Sequence, residues 1–515
     1  MAAPVVSCRK YLVQFAHEHL DFRIPELLAV ADIFGTTVTI PEAYDKENPY
    51  LVVDLPSDEI VKKIASRTIL VKSFYQLWAQ GHSYDELFHQ LRELPHALMA
   101  PYLNKNNTFR VIHDSFNKQL VHREKVALIE KLIGESGIEF PGNISLKSPD
   151  YSFHLLEYYK RDIPTSSPEL PDRVYFGRWI TDGHRDVIKQ FDLKNRKVIG
   201  NTSMDAALAL IMANMGHVTT NKIVYDPFVG TGSLLVASAH YGSYVMGTEI
   251  DWKLLHGRGR SSRAKQKWRT RDENIHNNLC QYHLGDLYLD VMVADASRHM
   301  MWHQIEMFDA IITDPPYGIR EPTKKVGTKK EDVEIPEELK SGHIPSKVTY
   351  DLSQILLDLL NFAAKFLVLG GRLVYWLPVY REDYVEDNIP LHPCLKLIGN
   401  SEQILKSTVS RRLITMKKVQ DYEEKLHLAE LPNNHYKDAS FREKYFRPHE
   451  KGPRNSKPSR FKNNYVKAVE AHVRSHDVTC EDANEHRSDV QERRESSSNS
   501  CYKDMAYGGW SPGKA

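Results

Sequence analysis

Residues 224–233, VYDPFVGTGS, join the end of an apolar strand to the start of a helix through a turn that contains Gly230 and Gly232. Glycine lets the backbone approach a ligand closely, and the N-terminus of the helix offers unpaired N–H groups. The stretch has neither the GxGxxG pattern of dinucleotide sites nor the GxxxxGK[ST] pattern of P-loops. Because Asp226 stands directly before the turn, the motif favours a ligand that carries an ammonium group over a pyrophosphate. Taken alone, it is also compatible with a plain strand–turn–helix connection.

The sequence around this turn alternates between predicted strands and helices. DAALALIMANMG (205–216) predicts a helix that ends at Gly216, and strand and helix patterns then follow one another up to GRLVYWLPV (371–379). Alternating units of this kind imply a largely parallel sheet that is covered by helices. LKLIGNSEQI (395–404) and RRLITMKKV (411–419) have no helix between them, so they predict an antiparallel hairpin. The region is therefore expected to form an α/β fold that ends in this hairpin.

Acidic residues stand at the ends of the next two predicted strands. YVMGTEID (244–251) contains Glu249, with Asp251 as a rival, and VMVADASRHM (291–300) places Asp295 after its strand. In nucleoside-binding α/β sheets, an acid in the position of Glu249 accepts both ribose hydroxyls. An acid in the position of Asp295 can accept a hydrogen bond from the exocyclic amine of adenine. Each acid alone is equally compatible with a solvated strand end.

A fourth predicted strand ends in the motif IITDPPYGIREPTKK (311–325). Two prolines cannot continue a strand, and they leave no N–H group next to the Pro315 carbonyl. The Asp314 carboxylate and this carbonyl together offer two acceptors, which is what an exocyclic –NH2 group requires. Tyr317 offers a flat face on which a base can stack. The candidate catalytic residues are therefore Asp314, Pro315, Pro316 and Tyr317.

The first 160 residues predict a separate α+β region. KYLVQFA (10–16), YLVVDLP (50–56) and TFRVIHDSF (108–116) are predicted strands between helical patterns, with no glycine-rich phosphate loop among them. This region is therefore expected to be a binding or accessory domain. Residues 161–200 are predicted to be a linker into the catalytic region, residues 201–432.

Three further stretches are rich in charge. Residues 320–347 are too long and polar for an ordinary connection, so they predict a functional loop or a disordered insert. Its residues Arg320, Lys324 and Lys325 are candidates for substrate contact. The basic tail, residues 433–515, is predicted to be largely disordered because it cannot form a core. A basic helix near residues 252–268 is more often a solvated face than an RNA contact.

Composition narrows the classes of protein that remain. The chain has 515 residues and a formal net charge of +1, so its overall charge does not indicate a nucleic-acid-binding protein. Its five cysteines are Cys8, Cys280, Cys394, Cys480 and Cys501, and because no two have CxxC spacing, neither a zinc ribbon nor a redox pair is indicated. Their odd number and scattered positions fit a reducing compartment. We expect no signal peptide, because the stretch MAAPVVSCRK has no long apolar core, and no membrane-spanning segment. The 24 histidines show no metal-ligand spacing. A cytoplasmic protein without a metal site is expected.

The glycine turn, the two strand-end acids and the DPPY motif together resemble the class I S-adenosylmethionine-dependent methyltransferases that methylate amines. This resemblance implies a Rossmann-like sheet and S-adenosyl-L-methionine as the cofactor. It implies that Asp226, Phe228, Gly230 and Gly232 hold the methionine part of the cofactor, Glu249 the ribose and Asp295 the adenine. In NTSMD (201–205), Thr202 and Ser203 are implied to lie nearest to the cofactor.

The N-terminal region resembles a THUMP domain with a ferredoxin-like lead-in, an arrangement that binds tRNA. With it, the chain is similar to the catalytic subunits of the tRNA (guanine(10)-N2)-methyltransferases. The resemblance implies methylation of the N2 amine of guanosine 10, tRNA as a partner, and a small zinc-binding activator subunit as a second partner. The alternatives are an amino-methyltransferase that acts on another RNA, DNA or a protein amide, and a non-catalytic RNA-binding protein.

Overall fold

The computed structural model describes residues 9–41, 44–160, 170–258, 261, 266–270, 272–319, 323–328, 338, 345–424 and 427–431. All of them belong to one compact unit, Met1–Arg447. The predicted tail, Arg320 and most of the charged stretch 320–347 lie outside the described residues. The described part of the chain contains two seven-stranded sheets and one two-stranded ribbon. None of the helices described is both long and apolar enough to cross a lipid bilayer.

The first sheet is built from the N-terminal region. Its strands are β1 (Arg9–Phe15), β2 (Tyr50–Leu55), β3 (Val71–Gly81), β4 (Thr108–Phe116), β5 (Asn143–Ile144), β6 (Tyr151–Tyr158) and β7 (Arg173–Asp182). The helices beside them are α1 (Arg23–Ile33), α2 (Asp58–Ala65), α3 (Tyr84–Glu93), α4 (His96–Met99), α5 (His122–Glu135) and α6 (Val187–Gln190). The strand order is β2-β1-β3-β7-β6-β4-β5. The predicted α+β character of this region is confirmed.

Strand β7 lies inside residues 161–200, the stretch that is predicted to be a linker. It pairs with β3 on one side and β6 on the other, so residues 173–182 lie in the middle of the first sheet. Val174 and Phe176 of this strand are fully buried. The prediction of a linker is therefore wrong for residues 173–182. The strand was missed because the residues directly before RVYFGRWITD give no strand or helix pattern. Its β-branched and aromatic residues fit a central strand.

The second sheet is built from the catalytic region. Its strands are β8 (Ile223–Asp226), β9 (Tyr244–Glu249), β10 (Tyr288–Val293), β11 (Phe308–Thr313), β14 (Leu367–Tyr380), β15 (Leu395–Ile404) and β16 (Val409–Lys418), and the separate ribbon contains β12 (Lys324–Val326) and β13 (Lys347–Thr349). The helices are α7 (Ala206–Met215), α8 (Ser233–His240), α9 (Trp252–Leu255), α10 (Ile275–Gln281) and α11 (Leu352–Phe366). The predicted basic helix near residues 252–268 is wrong for the described residues after Leu255, where α9 ends, because residues 256–258, 261 and 266–268 are not helical.

The order of the second sheet is β10-β9-β8-β11-β14-β16-β15. β10, β9, β8, β11 and β14 run parallel, whereas β16 and β15 form an antiparallel hairpin at one end. This confirms the predicted Rossmann-like α/β fold with a C-terminal hairpin. The chain leaves β8 toward β9 and β10 and then returns to β11 on the other side. Ligands of open α/β sheets bind at the carboxyl ends of the strands at such a reversal.

A buried polar network joins the N-terminal and catalytic regions. The carboxylate of Glu26 on α1 accepts hydrogen bonds from the backbone N–H groups of Ile69 and Leu70, at 2.9 and 2.8 Å, and from Asn214 Nδ2 on α7, at 2.8 Å. Arg67 Nε donates to Asn214 Oδ1 at 2.8 Å. Burial raises the pKa of Glu26 to about 6. Asn214 therefore uses both ends of its amide to hold α7 against α1 and against Arg67, which lies between α2 and β3.

We expect Asn214→Ala to lower the free energy of unfolding by about 2–4 kcal/mol, because the substitution leaves buried polar groups of Glu26 and Arg67 unsatisfied. Urea denaturation followed by circular dichroism measures the change. Asn195→Ala is the control, since Asn195 is exposed and its loss should cost under about 0.5 kcal/mol. Equal stability of the two variants would contradict a stabilising role of the network.

Candidate active site

A cavity of about 1320 Å³ lies at the carboxyl ends of β8, β9, β10 and β11. The predicted site residues that line it are Thr202, Ser203, Asp226, Phe228, Gly230, Glu249, Asp295, Asp314, Pro315, Pro316, Tyr317 and Lys324. Gly232 and Lys325 do not line it, and Arg320 lies outside the described residues. Lys325 Nζ donates to Gln354 Oε1 at 2.8 Å. The structure thus brings together residues that are up to 122 positions apart in the sequence, from Thr202 to Lys324.

The two glycines of the turn have different roles. Both have positive φ, +55° at Gly230 and +80° at Gly232, a conformation that favours glycine. A Cβ atom on Gly230 would meet no atom within 4 Å, so this backbone is open to the cavity. A Cβ atom on Gly232 would stand 2.8 Å from Ile275 Cγ2. Gly232 therefore allows α8 to begin close to α10, whereas Gly230 faces the ligand space.

Asp226 ends β8 and is almost fully buried. Its Oδ1 atom accepts hydrogen bonds from Phe228 N at 2.9 Å and from Thr313 Oγ1 at 2.7 Å. Burial raises the pKa of this carboxyl to about 7, and the negative charges of Glu249 and Asp314 act in the same direction. Among the described residues, no lysine or arginine forms an ion pair with Asp226 or Glu249. A ligand that brings a positive charge would therefore be stabilised here.

The acids after β9 and β10 are held by backbone N–H groups. Glu249 Oε2 accepts from Gly230 N at 2.9 Å, and burial raises the pKa of this carboxyl. Its rival Asp251 instead caps α9 by accepting from Lys253 N at 2.9 Å. Asp295 Oδ1 accepts from Ser297, and its Oδ2 atom accepts from Val326 N of β12 at 2.6 Å. One edge of the ribbon thus lies against Asp295.

The segment before α7 is joined to the glycine turn. Ser203 Oγ lies 2.6 Å from Thr231 Oγ1 and accepts from Gly200 N at 2.7 Å. Asp205 caps α7 by accepting from Ala207 N at 2.9 Å. These bonds place Ser203 on the wall of the same cavity as Gly230.

The DPPY motif follows β11 directly. The Tyr317 hydroxyl donates to Asp314 Oδ1, and Arg411 Nη1 donates to Asp314 Oδ2 at 3.2 Å. Burial raises the pKa of Asp314, and the positive charge of Arg411 acts in the opposite direction. The preceding residue, Thr313, hydrogen-bonds to Asp226. Thr313 therefore connects the end of β11 to Asp226, the acid that ends β8.

Sequence reasoning missed Arg411, Gln403 and Thr313. Arg411 lies on β16, opposite Pro378 of β14, so two strand pairings separate it from Asp314. Arg411 Nε donates to Gln403 Oε1 at 2.7 Å, and both side chains line the cavity. The one signal in the sequence is a pair of arginines at the start of an otherwise apolar strand, RRLITM.

The parallel strand order, the glycine turn after β8 and the carboxylates at the ends of the following strands define a class I S-adenosylmethionine-dependent methyltransferase. Residues 9–185 match the model of the Tmrp11 THUMP N-terminal domain, and residues 194–330 match that of the RMKL-like methyltransferase domain. The chain belongs to the family of tRNA (guanine(10)-N(2))-methyltransferases, and the resemblance that the sequence indicated is confirmed.

Three curated relatives support this assignment. The chain is 48% identical over 449 residues to tRNA (guanine(10)-N(2))-methyltransferase TRMT11 of Bos taurus, a match that covers 86% of this chain and 96% of the relative. It is 47% identical over 450 residues to the protein of the same name from Homo sapiens, which covers 86% and 96%. The relative from Dictyostelium discoideum is 36% identical over 440 residues and covers 81% and 84%. The chain is therefore an enzyme that uses S-adenosyl-L-methionine, as predicted.

Proposed function

We propose that this chain transfers a methyl group from S-adenosyl-L-methionine to the N2 amine of guanosine 10 in tRNA, which gives N2-methylguanosine. The observation that carries this proposal is that Thr313, at the end of β11, connects Asp226 to Asp314. Thr313 binds Asp226, and the next residue along the chain is Asp314. A site for a cationic methyl donor and a site for an amine acceptor are therefore adjacent in one cavity.

The cofactor fits the acids of this cavity. Asp226 would hold the ammonium group, Glu249 the ribose hydroxyls and Asp295 the adenine amine, with Phe228, Thr202 and Ser203 beside them. Two of these carboxyl groups have pKa values that burial raises, so a bound cation would stabilise their ionised forms. When bound, the cofactor supplies a methyl group on a positively charged sulfur.

Asp314, Pro315 and Tyr317 would position the base. The two N–H bonds of the amine would point to the Asp314 carboxylate and the Pro315 carbonyl, and the ring of Tyr317 would stack on the base. The nitrogen lone pair would form the new N–C bond while the bond from the methyl group to sulfur breaks and leaves its electron pair on sulfur, and Asp314 would take the proton that the amine loses. Alignment of the amine can contribute up to ~7–11 kcal/mol to lowering the barrier. Neither step requires a metal ion.

The N-terminal region would hold the tRNA phosphates, and Lys324 at the cavity would contact the substrate near the base. Lys325 is engaged with Gln354, so of these two lysines Lys324 is the stronger candidate for a substrate contact. The N-terminal region would thus bind the phosphates, and the catalytic region would recognise the nucleotide that is turned out of its stack.

The experiment that tests this function is methylation of tRNA transcripts by the purified chain, alone and with its candidate activator. Nucleosides from the digested product are analysed by mass spectrometry. N2-methylguanosine from a guanosine-10 transcript, and none from an adenosine-10 transcript, is the expected result. Methyl transfer to another nucleoside, or to DNA or protein instead, would contradict the proposed substrate.

We also propose that a small zinc-binding activator subunit covers the β10 edge of the catalytic sheet. Among the described residues, β10 pairs only with β9, so its outer edge is available for strand addition. Leu289 and Val293 on this strand are 49% and 45% exposed, which is unusual for apolar residues of a strand in a stable sheet. A partner that adds a strand here would cover both.

We expect Leu289→Asp to weaken the heterodimer by at least about tenfold, because a buried charge opposes the apolar contact. Size-exclusion chromatography of the co-expressed subunits and a titration of the two purified proteins measure this change. Ile404→Asp is the matched control, since Ile404 is 58% exposed on β15, at the opposite edge of the same sheet. Weakening by the control alone would place the partner on the other edge.

A cytoplasmic location is proposed because the substrate is tRNA. Among the described residues, Cys280 and Cys394 are free thiols. Free cysteines are typical of proteins from a reducing compartment.

A further inference from the structure

We propose that Arg411 determines the specificity for guanine by donating a hydrogen bond to O6 of the target base. This inference rests on the proposed function, because it assumes that the amine presented to Asp314 is N2 of guanine. It assigns to the C-terminal hairpin a role that the DPPY motif cannot fill. The motif offers acceptors for an amine, and adenine and cytosine also carry amines.

Arg411 lies beside the amine-binding acceptors. Its Nη1 atom is 3.2 Å from Asp314 Oδ2, and its side chain is 13% exposed on the wall of the cavity. A guanidinium group has five N–H donors in one plane. Among the described residues, its partners are Asp314, Gln403, Met204 and the hydroxyl of Tyr317. Four partners leave one of the five donors for a ligand.

The guanidinium group is also fixed in position. Its Cζ atom lies 3.9 Å from the ring centroid of Trp376, which is fully buried on β14. Nε donates to Gln403 Oε1 at 2.7 Å, and Nη2 lies 3.6 Å from Met204 Sδ. A charged donor that is held from three sides discriminates better than a mobile lysine would, because less conformational freedom is lost when the contact forms.

The order of polar groups in the cavity matches the edge of guanine. Along its Watson–Crick edge, guanine presents the N2 amine, the N1–H group and then the O6 acceptor. The protein presents the Asp314 acceptors and next to them the Arg411 donor. Adenine presents its amine followed by the N1 acceptor, so a carboxylate beside that amine would face a lone pair. The two Asp314 oxygens would accept from N2–H and N1–H of guanine, and Arg411 would donate to O6. Two adjacent acceptors followed by a donor therefore favour guanine, because adenine would place its N1 lone pair against the second oxygen.

Two modified tRNAs separate this role from a purely structural one. One carries inosine at position 10, which keeps N1–H and O6, and the other carries purine riboside, which lacks both. Neither has the amine, so both act only as competitive inhibitors. For the wild-type chain, with its activator where activity requires it, inosine should inhibit about ten- to a hundredfold more strongly than purine riboside. In Arg411→Met this ratio should fall about tenfold.

Arg412→Met is the matched control. Arg412 is the next residue on β16, does not line the cavity, and donates to Asn400 Oδ1 at 2.5 Å. The Arg412→Met variant should keep the wild-type ratio of inhibition by the inosine tRNA to inhibition by the purine riboside tRNA. If Arg411→Met does not fold, Arg411→Lys keeps a positively charged donor without the planar geometry of the guanidinium group and should give an intermediate ratio.

An inhibition ratio that is the same in the wild type and in the Arg411 variant would overturn the proposal, even if methylation of guanosine became slower. Such a result would leave Arg411 as a residue that only positions Asp314. Failure of the proposed function is recognised separately, because the wild-type chain would then form no N2-methylguanosine on the guanosine-10 transcript.

Discussion

Replacing Asp314 with alanine is expected to abolish methyl transfer and to leave tRNA affinity within about twofold of the wild type. The carboxylate is one of the two acceptors proposed for the amine, and it receives the proton that the amine loses. Loss of a positioned acid–base group alone typically costs about 10²–10⁴ in rate. Loss of alignment would add to this effect. The tRNA phosphates are proposed to be held by the N-terminal region, so binding should persist.

The measurement is a single-turnover assay with labelled cofactor, together with a tRNA-binding titration of the same variant. Asp387→Ala is the control, because Asp387 is exposed and does not line the cavity. It removes the same charge and should retain full activity. Near-normal turnover by the Asp314 variant would show that the proposed mechanism is wrong.

Replacing Asp226 with asparagine should remove the pH dependence of cofactor binding and weaken that binding by about a hundredfold. The pKa of Asp226 is about 7, so the ionised fraction of this carboxyl rises between pH 6 and 8. The ammonium group of the cofactor favours the ionised form. Affinity for S-adenosylhomocysteine should therefore increase over this range in the wild type and stay constant in Asp226→Asn. Isothermal titration calorimetry at four pH values measures both curves.

The same pKa shift has the opposite effect on the stability of the ligand-free chain. The folded-state pKa of about 7 is above the ordinary value of 3.8, so the folded chain binds the proton more tightly than the unfolded chain. The contribution of Asp226 to stability is therefore present below about pH 4 and is lost as the pH rises through 7. For the binding prediction, a wild-type affinity for S-adenosylhomocysteine that did not change between pH 6 and 8 would contradict the proposal that the ionised Asp226 carboxylate binds the ammonium group.

Much of the catalytic region could be predicted from the sequence because its signals are local. The strand that ends at Asp226, the turn at Gly230 and the two prolines after Asp314 each determine their own conformation. Parallel strands then bring their carboxyl ends to one edge of the sheet. Asp226, Glu249, Asp295 and Asp314 all line one cavity for this reason.

The features that were missed depend on long-range pairing. β7 was predicted to be part of a linker, because its partners β3 and β6 are identified only by the register of the folded sheet. Arg411 follows Asp314 by 97 positions and approaches it through β14 and β16. Local patterns carry no information on such contacts, since the same arginine would be solvated if the hairpin packed in another register.

The network of Glu26, Asn214 and Arg67 has a further consequence for how a nucleotide is chosen. Asp205 caps α7 beside the cavity, and Asn214 of this helix is hydrogen-bonded to Glu26 and Arg67 of the N-terminal region. The separation between the N-terminal region and Asp314 is thus set by packed, hydrogen-bonded contacts. If the N-terminal region holds tRNA and the catalytic region modifies a base, a fixed separation between that region and Asp314 selects a nucleotide at a fixed distance along the RNA. If the N-terminal region holds the tRNA phosphates as proposed, guanosines with the same edge at another distance from these phosphates would not reach the carboxylate.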